Sequence, residues 1–507
     1  MCIRDSLDMK WGRDVLSKFP EFDELNQDLM RSLVSDETAI LSGAGCGKSH
    51  IAITAAIKMF GKDKVLVVTP YNSQAQQAMN KYSVRAVTYH NFLGESIDGS
   101  SNRAPFNLEK HGIMMVIFDE IMLFTHDELK KIWKWKQTRK DVLMVATGDQ
   151  RQLEAIDDII DNERKMEYVQ RLFPQRTIRL NINKRLESDK DRELMAAMEV
   201  DMWNCANKAD VRKLIRKHFP KQIISKNQLK EKGIKSAVTY YNASSSVLND
   251  TIHSFTDYGD SAMCEIVIVE ADEEKGIAEK MRKYYKGMQL TCKGTIRGLK
   301  TGVESSTSGI LHTNYKYTIS DFAEGSQSLG QSPAFILQDI LTKEQYTVPH
   351  SLIVSKFILP YCNTVHSAQG ACIPHKFIIA DWKTLGVTLN WLYTAMSRAV
   401  RFSDIYFLEE SMYGDHVEGI IKDMISGYKC QDKKVGGKRG VWEEDEYVTG
   451  KWIRGLYAKS STCRCCGNKM VFEKRNKHKV TVNRKDNGLP HIMKNCELVC
   501  NVCSPAG

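Results

Sequence analysis

The chain of 507 residues has no apolar run long enough to cross a bilayer. Its longest, such as "IMMVIF" at 113–118, fall far short of the roughly 20 residues a spanning helix needs. A helical membrane protein is therefore excluded. The opening residues "MCIRDS" join no basic flank to an apolar core, so a secretory leader is not expected. No internal repeat is evident, which argues against a solenoid. A paired cysteine framework is also missing from most of the chain: of 14 cysteines, eight are scattered singly. Buried free thiols in a reducing, intracellular compartment (cytoplasm or nucleus, or a phage- or virus-encoded protein within one) fit that pattern.

Charge of one sign is scarce in the body as well. The net charge is +10, but residues 429–507 hold roughly 17 Lys and Arg against roughly 8 Asp and Glu. Nearly all of the excess lies in that tail, whose natural partner is a polyanion. The bland alternative is a solvated tail that keeps the protein soluble.

What is present is enough for sizeable cores, at 42% hydrophobic residues, and for roughly two to four domains. "KVLVVTP" (64–70), "IMMVIFDE" (113–120) and "VLMVATGD" (142–149) are short, β-branched runs with helical patterns between them. This is the βαβ rhythm of an α/β fold with parallel strands buried on both faces. Residues 94–112 are a polar, turn-rich excursion. Residues 288–357 change to short strands with frequent turns, and read as a small β-barrel inserted into a second α/β domain. The expected division is an N-terminal extension (1–21), a first domain (22–175) and a second domain (176–428). A basic linker (429–460) and a cysteine-bearing module (461–507) follow.

"SGAGCGKS" (42–49) is a phosphate-binding loop with Ser42 where the first glycine belongs. Positive φ at that position would cost a serine roughly 1 kcal/mol. Asp119 and Glu120 follow directly on an apolar strand, where one carboxylate can hold Mg²⁺ and the other activate water. "GDQRQL" supplies Gln152, a neutral donor able to sense a γ-phosphate. Arg185 in "LNINKRLES" and Arg398 in "YTAMSRA" are cations able to stabilise transferring phosphate. Alone, each of these would be ordinary. Asp-Glu after a strand usually starts a solvated loop, and a lone arginine is usually a surface ion pair.

In order and spacing these stretches resemble the motifs of superfamily 1 helicases over about residues 22–410. "SGAGCGKS" resembles motif I, "VVTPYNSQA" motif Ia, "FDEI" motif II and "GDQRQL" motif III. "NINKRL" resembles motif IV, "TVHSAQG" motif V and "YTAMSRA" motif VI, while "VTYHNF" resembles the DNA-contact motif beside motif Ia. Gln369-Gly370 and the inserted barrel resemble the RecD and Dda branch rather than the Rep and UvrD branch, which implies 5′-to-3′ movement.

The resemblance implies two RecA-like doubly wound domains with ATP between them. Lys48 would contact the β- and γ-phosphates, while Ser49 and Asp119 place Mg²⁺. Glu120 would orient or activate water, and Gln152, Arg185 and Arg398 would surround the γ-phosphate. Gly43, Ala44, Gly45, Cys46, Gly47 and Gly370 would line the nucleotide, and Gln27 in "ELNQDL" would read adenine. Thr69, Pro70, His90, Thr364 and His366 would line the strand groove. ATP would close the cleft and hydrolysis open it, ratcheting single-stranded or partially duplex DNA through; replication or recombination proteins are the implied partners. The excursion at 94–112 is a candidate strand-splitting pin. Cys46, where the family usually has Thr or Ser, is expected to make the loop sensitive to thiol reagents.

"CRCCG" (463–467) and "CNVC" (500–503) give two Cys-x-x-Cys pairs in the basic tail. Cys463, Cys466, Cys500 and Cys503 would make a closed tetrahedral Zn²⁺ site. A redox pair or free thiols are the alternative; Cys465 and Cys496 are spare, and His491 is a substitute ligand. The stretch from 481 to 504 resembles the treble-clef core of HNH-type nucleases, with Asn495 at the middle Asn. Asn483-Arg484 stands where that family has Asp-His, so no base for metal-assisted hydrolysis is evident and binding is expected instead. The leading reading is an ATP-dependent DNA helicase. An RNA helicase of the same superfamily, a helicase–nuclease fusion and a binding or packaging module with a decayed ATPase are the alternatives.

Overall fold

The computed structural model describes residues 15–16, 35–94, 104–139, 141–153, 162–180, 182–204, 210–272, 276–294, 296–300, 308–313, 315–323, 334–340, 342–384, 387–410, 416–434, 442–472 and 478–504. Gln27, most of the N-terminal extension and the centre of the 94–112 excursion lie outside them.

The first unit is a seven-stranded sheet in the order β1-β7-β2-β6-β5-β3-β4. Its strands are β1 (Val15–Leu16), β2 (Thr38–Leu41), β3 (Val65–Thr69), β4 (Arg85–Thr88), β5 (Met115–Phe118), β6 (Leu143–Gly148) and β7 (Arg176–Leu180). All of its pairings are parallel, with Ile40 opposite Thr147 and Val67 opposite Ile117. β3 and β5 are buried at every residue, because helices cover both faces. Helices α1 (Lys48–Phe60), α2 (Asn72–Tyr82) and α3 (Tyr89–Leu93) follow β2, β3 and β4. Helix α4 (His126–Thr138) opens on a capping box, Thr125 with Glu128, which fixes where the chain turns after the acidic pair. The division expected at residue 175 falls elsewhere. Arg176–Leu180 pairs with β2, so the first sheet is complete only after Leu180.

Helices α5 (Asn162–Leu172), α6 (Asp189–Trp203) and α7 (Asp210–His218) lie on either side of that crossover. The second unit is a five-stranded parallel sheet in the order β19-β9-β20-β21-β8. Its first strands are β8 (Ile223–Ile224) and β9 (Ser236–Thr239), followed by helix α8 (Asn242–Phe255). Between α8 and the rest of the sheet the chain makes an antiparallel ribbon, β10 (Met263–Asp272) with β11 (Gly276–Tyr285).

A seven-stranded antiparallel sheet follows, in the order β14-β13-β17-β16-β15-β12-β18. It comprises β12 (Gln289–Cys292), β13 (Ile296–Lys300), β14 (Ser308–Leu311), β15 (Lys316–Ala323), β16 (Ala334–Asp339), β17 (Gln345–Pro349) and β18 (Phe357–Ile358), with helix α9 (His350–Lys356) between the last two. Tyr284, Tyr317, Phe335 and Phe357 fill its core. The second unit then resumes with β19 (Cys362–Thr364), β20 (Phe377–Ile379), helix α10 (Leu389–Met396) and β21 (Ile405–Leu408).

The C-terminal part departs from the expected linker. Helix α11 (His416–Lys434) and helix α12 (Gly450–Lys459) occupy much of 429–460, and pack on a hairpin of β22 (Val480–Arg484) and β23 (Cys496–Cys500). Val417, Ile420, Ile421 and Met424 share one core with Ile453, Tyr457, Val480 and Val499. The basic residues dominate the composition of this stretch, but the apolar face beneath them makes it part of the module. Residues 435–441, the centre of the expected linker, are outside the described residues. Among the described residues no helix is long and apolar enough to cross a membrane.

Candidate nucleotide site and cysteine cluster

The loop between β2 and α1 is held on all sides. Ser42 does not have positive φ, so the strain considered for a serine there does not arise. Its amide donates to Gly148 O at 3.1 Å and its hydroxyl accepts from the Leu180 amide. Gly45 is the position that needs glycine. Its φ is 76°, and a Cβ there would lie 2.4 Å from Asn183 Oδ1. Lys48 is buried and donates to Gly43 O at 3.0 Å. Cys46 is buried with its pKa raised by that burial, and both disfavour the expected reaction with thiol reagents.

The acidic pair sits where β5 ends, beside the start of α1. Ser49 Oγ donates to Asp119 Oδ1 at 2.5 Å, and Thr147 Oγ1 donates to the same oxygen. Glu120 takes a left-handed conformation, φ 53°, that turns it away from the strand direction. Its carboxyl pKa is raised, chiefly by burial, with Lys48 opposing and Asp119 adding. A carboxylate raised in this way is a stronger base than an ordinary one, which suits it to accept a proton.

Facing these groups is the end of α10. Arg398 is 1% exposed and donates to Thr394 O at 3.0 Å, Ala371 O at 3.3 Å and Ser397 Oγ at 2.9 Å. Burial, then Arg185, pushes its pKa down to about 10, while Glu120 opposes that shift. The carboxylate of the first unit and the arginine of the second are thus near enough to act on each other. Arg185 donates to Ser397 O, which ties the chain after β7 to the same helix end. Gln152 is buried, donating to Asp149 Oδ2 at 3.4 Å, and its carbonyl accepts from Asn390 Nδ2 at 3.2 Å. Gly370, φ 79°, lies against the Gln74 side chain of α2.

Four residues went unnoticed in the sequence: Thr147, Asp149, Arg151 and Tyr393. Tyr393 Oη donates to Asp149 Oδ2 at 2.9 Å and accepts from the Ala44 amide at 2.8 Å. Arg151 lies over the Tyr393 ring at 5.1 Å and pairs with Glu199 Oε2 at 2.7 Å. All four fall within or beside stretches already singled out, and only their orientation reveals them.

The expected strand-contact residues differ in their settings. Thr69 is fully buried and its hydroxyl donates to Tyr71 O at 3.0 Å, so it shapes the turn into α2 rather than offering a contact. Pro70 is half-buried beside it. His90 lies 3.9 Å from Glu128 Oε1, and Thr364 shares a hydrogen bond with Ser367 at 3.0 Å. His366 has its pKa pushed down to about 4 by burial and then by Lys469, which belongs to the C-terminal module.

In that module the ligand atoms of Cys463, Cys466, Cys500 and Cys503 lie within 4.8 Å of one another. Cys466 and Cys500 Sγ are 3.6 Å apart, and the Cys500 amide donates to Cys463 Sγ at 3.3 Å. Four convergent thiols with a backbone donor fit a tetrahedral thiolate-bound metal. His491 is not among them. It bonds Asp432 Oδ2 through Nδ1 at 2.9 Å and stacks on Tyr428 at 4.2 Å. Arg484 also bonds Asp432, at 3.1 Å. Asn495 ties down its own loop, donating to Asp486 O at 2.9 Å and accepting from the Asp486 amide at 2.9 Å.

Residues 24–200 match the family described as AAA domain, a span that carries the loop, the acidic pair, Gln152 and Arg185. No curated protein matches the chain. Among solved structures, the chain is similar to the Pif1 helicase from Candida albicans, with 16% identity and a TM-score of 0.49 over 83% of this chain and 100% of that one. It is also similar to Bacteroides Pif1 bound to ssDNA, with 14% identity and a TM-score of 0.46 over 80% and 96%. Bacteroides Pif1 in complex with ADP-AlF3 and ssDNA gives 14% identity and a TM-score of 0.46 over 83% and 99%.

Proposed function

We propose that the chain hydrolyses ATP between its two parallel-sheet units and uses the cycle to move along and unwind DNA, 5′ to 3′ on single strands, inside the cell. One observation carries the reading. Ser49 and Asp119 are in contact beside Glu120, and the helix of the other unit that leads into Arg398 reaches the phosphate loop through Tyr393 and Arg185 through Ser397. Lys48 and the loop amides bind phosphate; Ser49 and Asp119 would hold Mg²⁺, which when bound neutralises phosphate charge. Glu120 takes the proton of the attacking water. Arg398, with Arg185 and Gln152 behind it, offsets charge on the transferring group.

The cysteine-bearing module supports the strand-binding half of the reading. Its four thiols suit Zn²⁺, and its Lys469 lies near His366 in the stretch resembling motif V. We assign it a DNA-gripping rather than a DNA-cutting role, since Arg484 and His491 are engaged with Asp432.

The test is ATP turnover with single-stranded DNA, with single-stranded RNA and with neither, followed by unwinding of duplexes tailed at the 5′ or the 3′ end. DNA-stimulated turnover and preference for the 5′ tail are expected. Stimulation by RNA alone would transfer the reading to an RNA helicase. Preference for the 3′ tail would overturn the polarity and leave the ATPase standing.

A further inference from the structure

The phosphate loop is gripped by groups from two different bodies. Ser42 and Gly45 are held by the chain that leaves the first sheet, through the Leu180 and Lys184 amides. Ala44 is held from the second unit, by the hydroxyl of Tyr393 on α10 at 2.8 Å. The same hydroxyl donates to Asp149, at the end of β6, at 2.9 Å. Arg151 completes the set. Its amide donates to Asp149 at 3.0 Å, its guanidinium covers the tyrosine ring, and Glu199 on α6 fixes its far end at 2.7 Å. Gly43 is shaped to this cluster, since a Cβ there would lie 2.2 Å from Arg151 Nη2.

We propose that Tyr393 is a positioning residue that makes the shape of the phosphate loop depend on how the two units meet. The inference rests on the ATPase reading above. Tyr393 bonds the loop backbone and the Asp149 carboxylate. It is 1% exposed, and its hydroxyl is the link between a loop amide of the first unit and a helix of the second. When a strand bound across both units shifts α10, the Ala44 amide shifts with it, and the loop's grip on phosphate changes. By reciprocity, nucleotide in the loop changes the strand affinity by the same factor.

The measurement is the dissociation constant of a fluorescent ATP analogue, with and without a saturating oligo-dT strand, in the full chain. In the wild type the two values should differ by a factor of roughly 5 to 150, the usual range of such coupling. Tyr393→Phe keeps the ring and removes the hydroxyl, and the factor should fall below about 2. Glu199→Gln, which loosens Arg151 without touching the tyrosine or the loop, should lower it partway. It serves as the deciding variant if Tyr393→Phe fails to fold. A wild-type factor retained in a folded Tyr393→Phe protein, or in Glu199→Gln when the first variant is lost, overturns the inference and leaves the ATPase reading intact. A wild type that shows no strand-stimulated hydrolysis would remove both.

Discussion

Asp432 carries the most sharply defined mechanical prediction. Its side chain is 0% exposed and accepts from Tyr447 Oη at 2.8 Å, from the His491 amide and Nδ1 at 2.9 Å each, and from Arg484 at 3.1 Å. It sits near the end of α11 and joins that helix to the β22–β23 hairpin. Asp432→Ala would leave the Arg484 guanidinium, itself 8% exposed, buried without its counter-charge. Breaking one side of a buried pair costs about 3–5 kcal/mol. The hairpin is local, so its own opening should report the loss. Amide exchange in peptides covering 480–484 and 496–500 should speed up by roughly 150- to 5,000-fold, while the first sheet keeps its protection.

The same anchor sets a pH dependence. Burial alone would raise the Asp432 pKa, but the bonds from His491 and Tyr447 overcome it and hold the carboxyl below its ordinary value. A carboxyl lowered in the folded state stabilises above its unfolded pKa, and that contribution is lost as pH falls through the folded value. The module should therefore loosen in acid, below the usual carboxylate range. Unchanged exchange in Asp432→Ala would refute the reasoning, and would mean that the hydrophobic core alone docks the helix.

Glu120→Gln should still bind ATP but hydrolyse it at least ~100-fold more slowly, and wild-type turnover would remove this carboxylate from the mechanism. Metal analysis of the full chain should find one zinc. Cys500→Ser or a strong chelator should unfold the module, because the metal supplies much of the folding energy of so small a unit. Retention of a well-dispersed module spectrum without metal would contradict the thiolate site. Lys469→Ala should raise the His366 pKa from about 4, read from the imidazole proton shifts, and no movement would separate the module from that loop.

Much of the α/β architecture was legible because its strands are short β-branched runs that end in chemically distinctive residues. The phosphate loop, Asp119 with Glu120, and the spacing of the four cysteines could be read without coordinates. Three things could not. Tyr393 and Arg151 matter through orientation, and a tyrosine in an apolar helix gives no sign of which amide it meets. The β10–β11 ribbon is rich in charge, so "EADEEKGIAEKMRK" reads as solvated rather than paired. In the 429–460 stretch the charge excess masks the helical spacing of Val417, Ile420, Ile421 and Met424 just upstream, and of Ile453 and Tyr457 within it.

That last core changes where the chain can be cut. Because Val417 is already part of the module, only five residues separate Glu410, the last described residue after β21, from His416 at the start of α11. Even fully extended, such a connection reaches no more than roughly 20 Å. The module, basic in composition, is thus kept at a high effective concentration beside the second unit. A truncation at residue 428 would split a hydrophobic core, whereas one after Glu410 would remove the module whole.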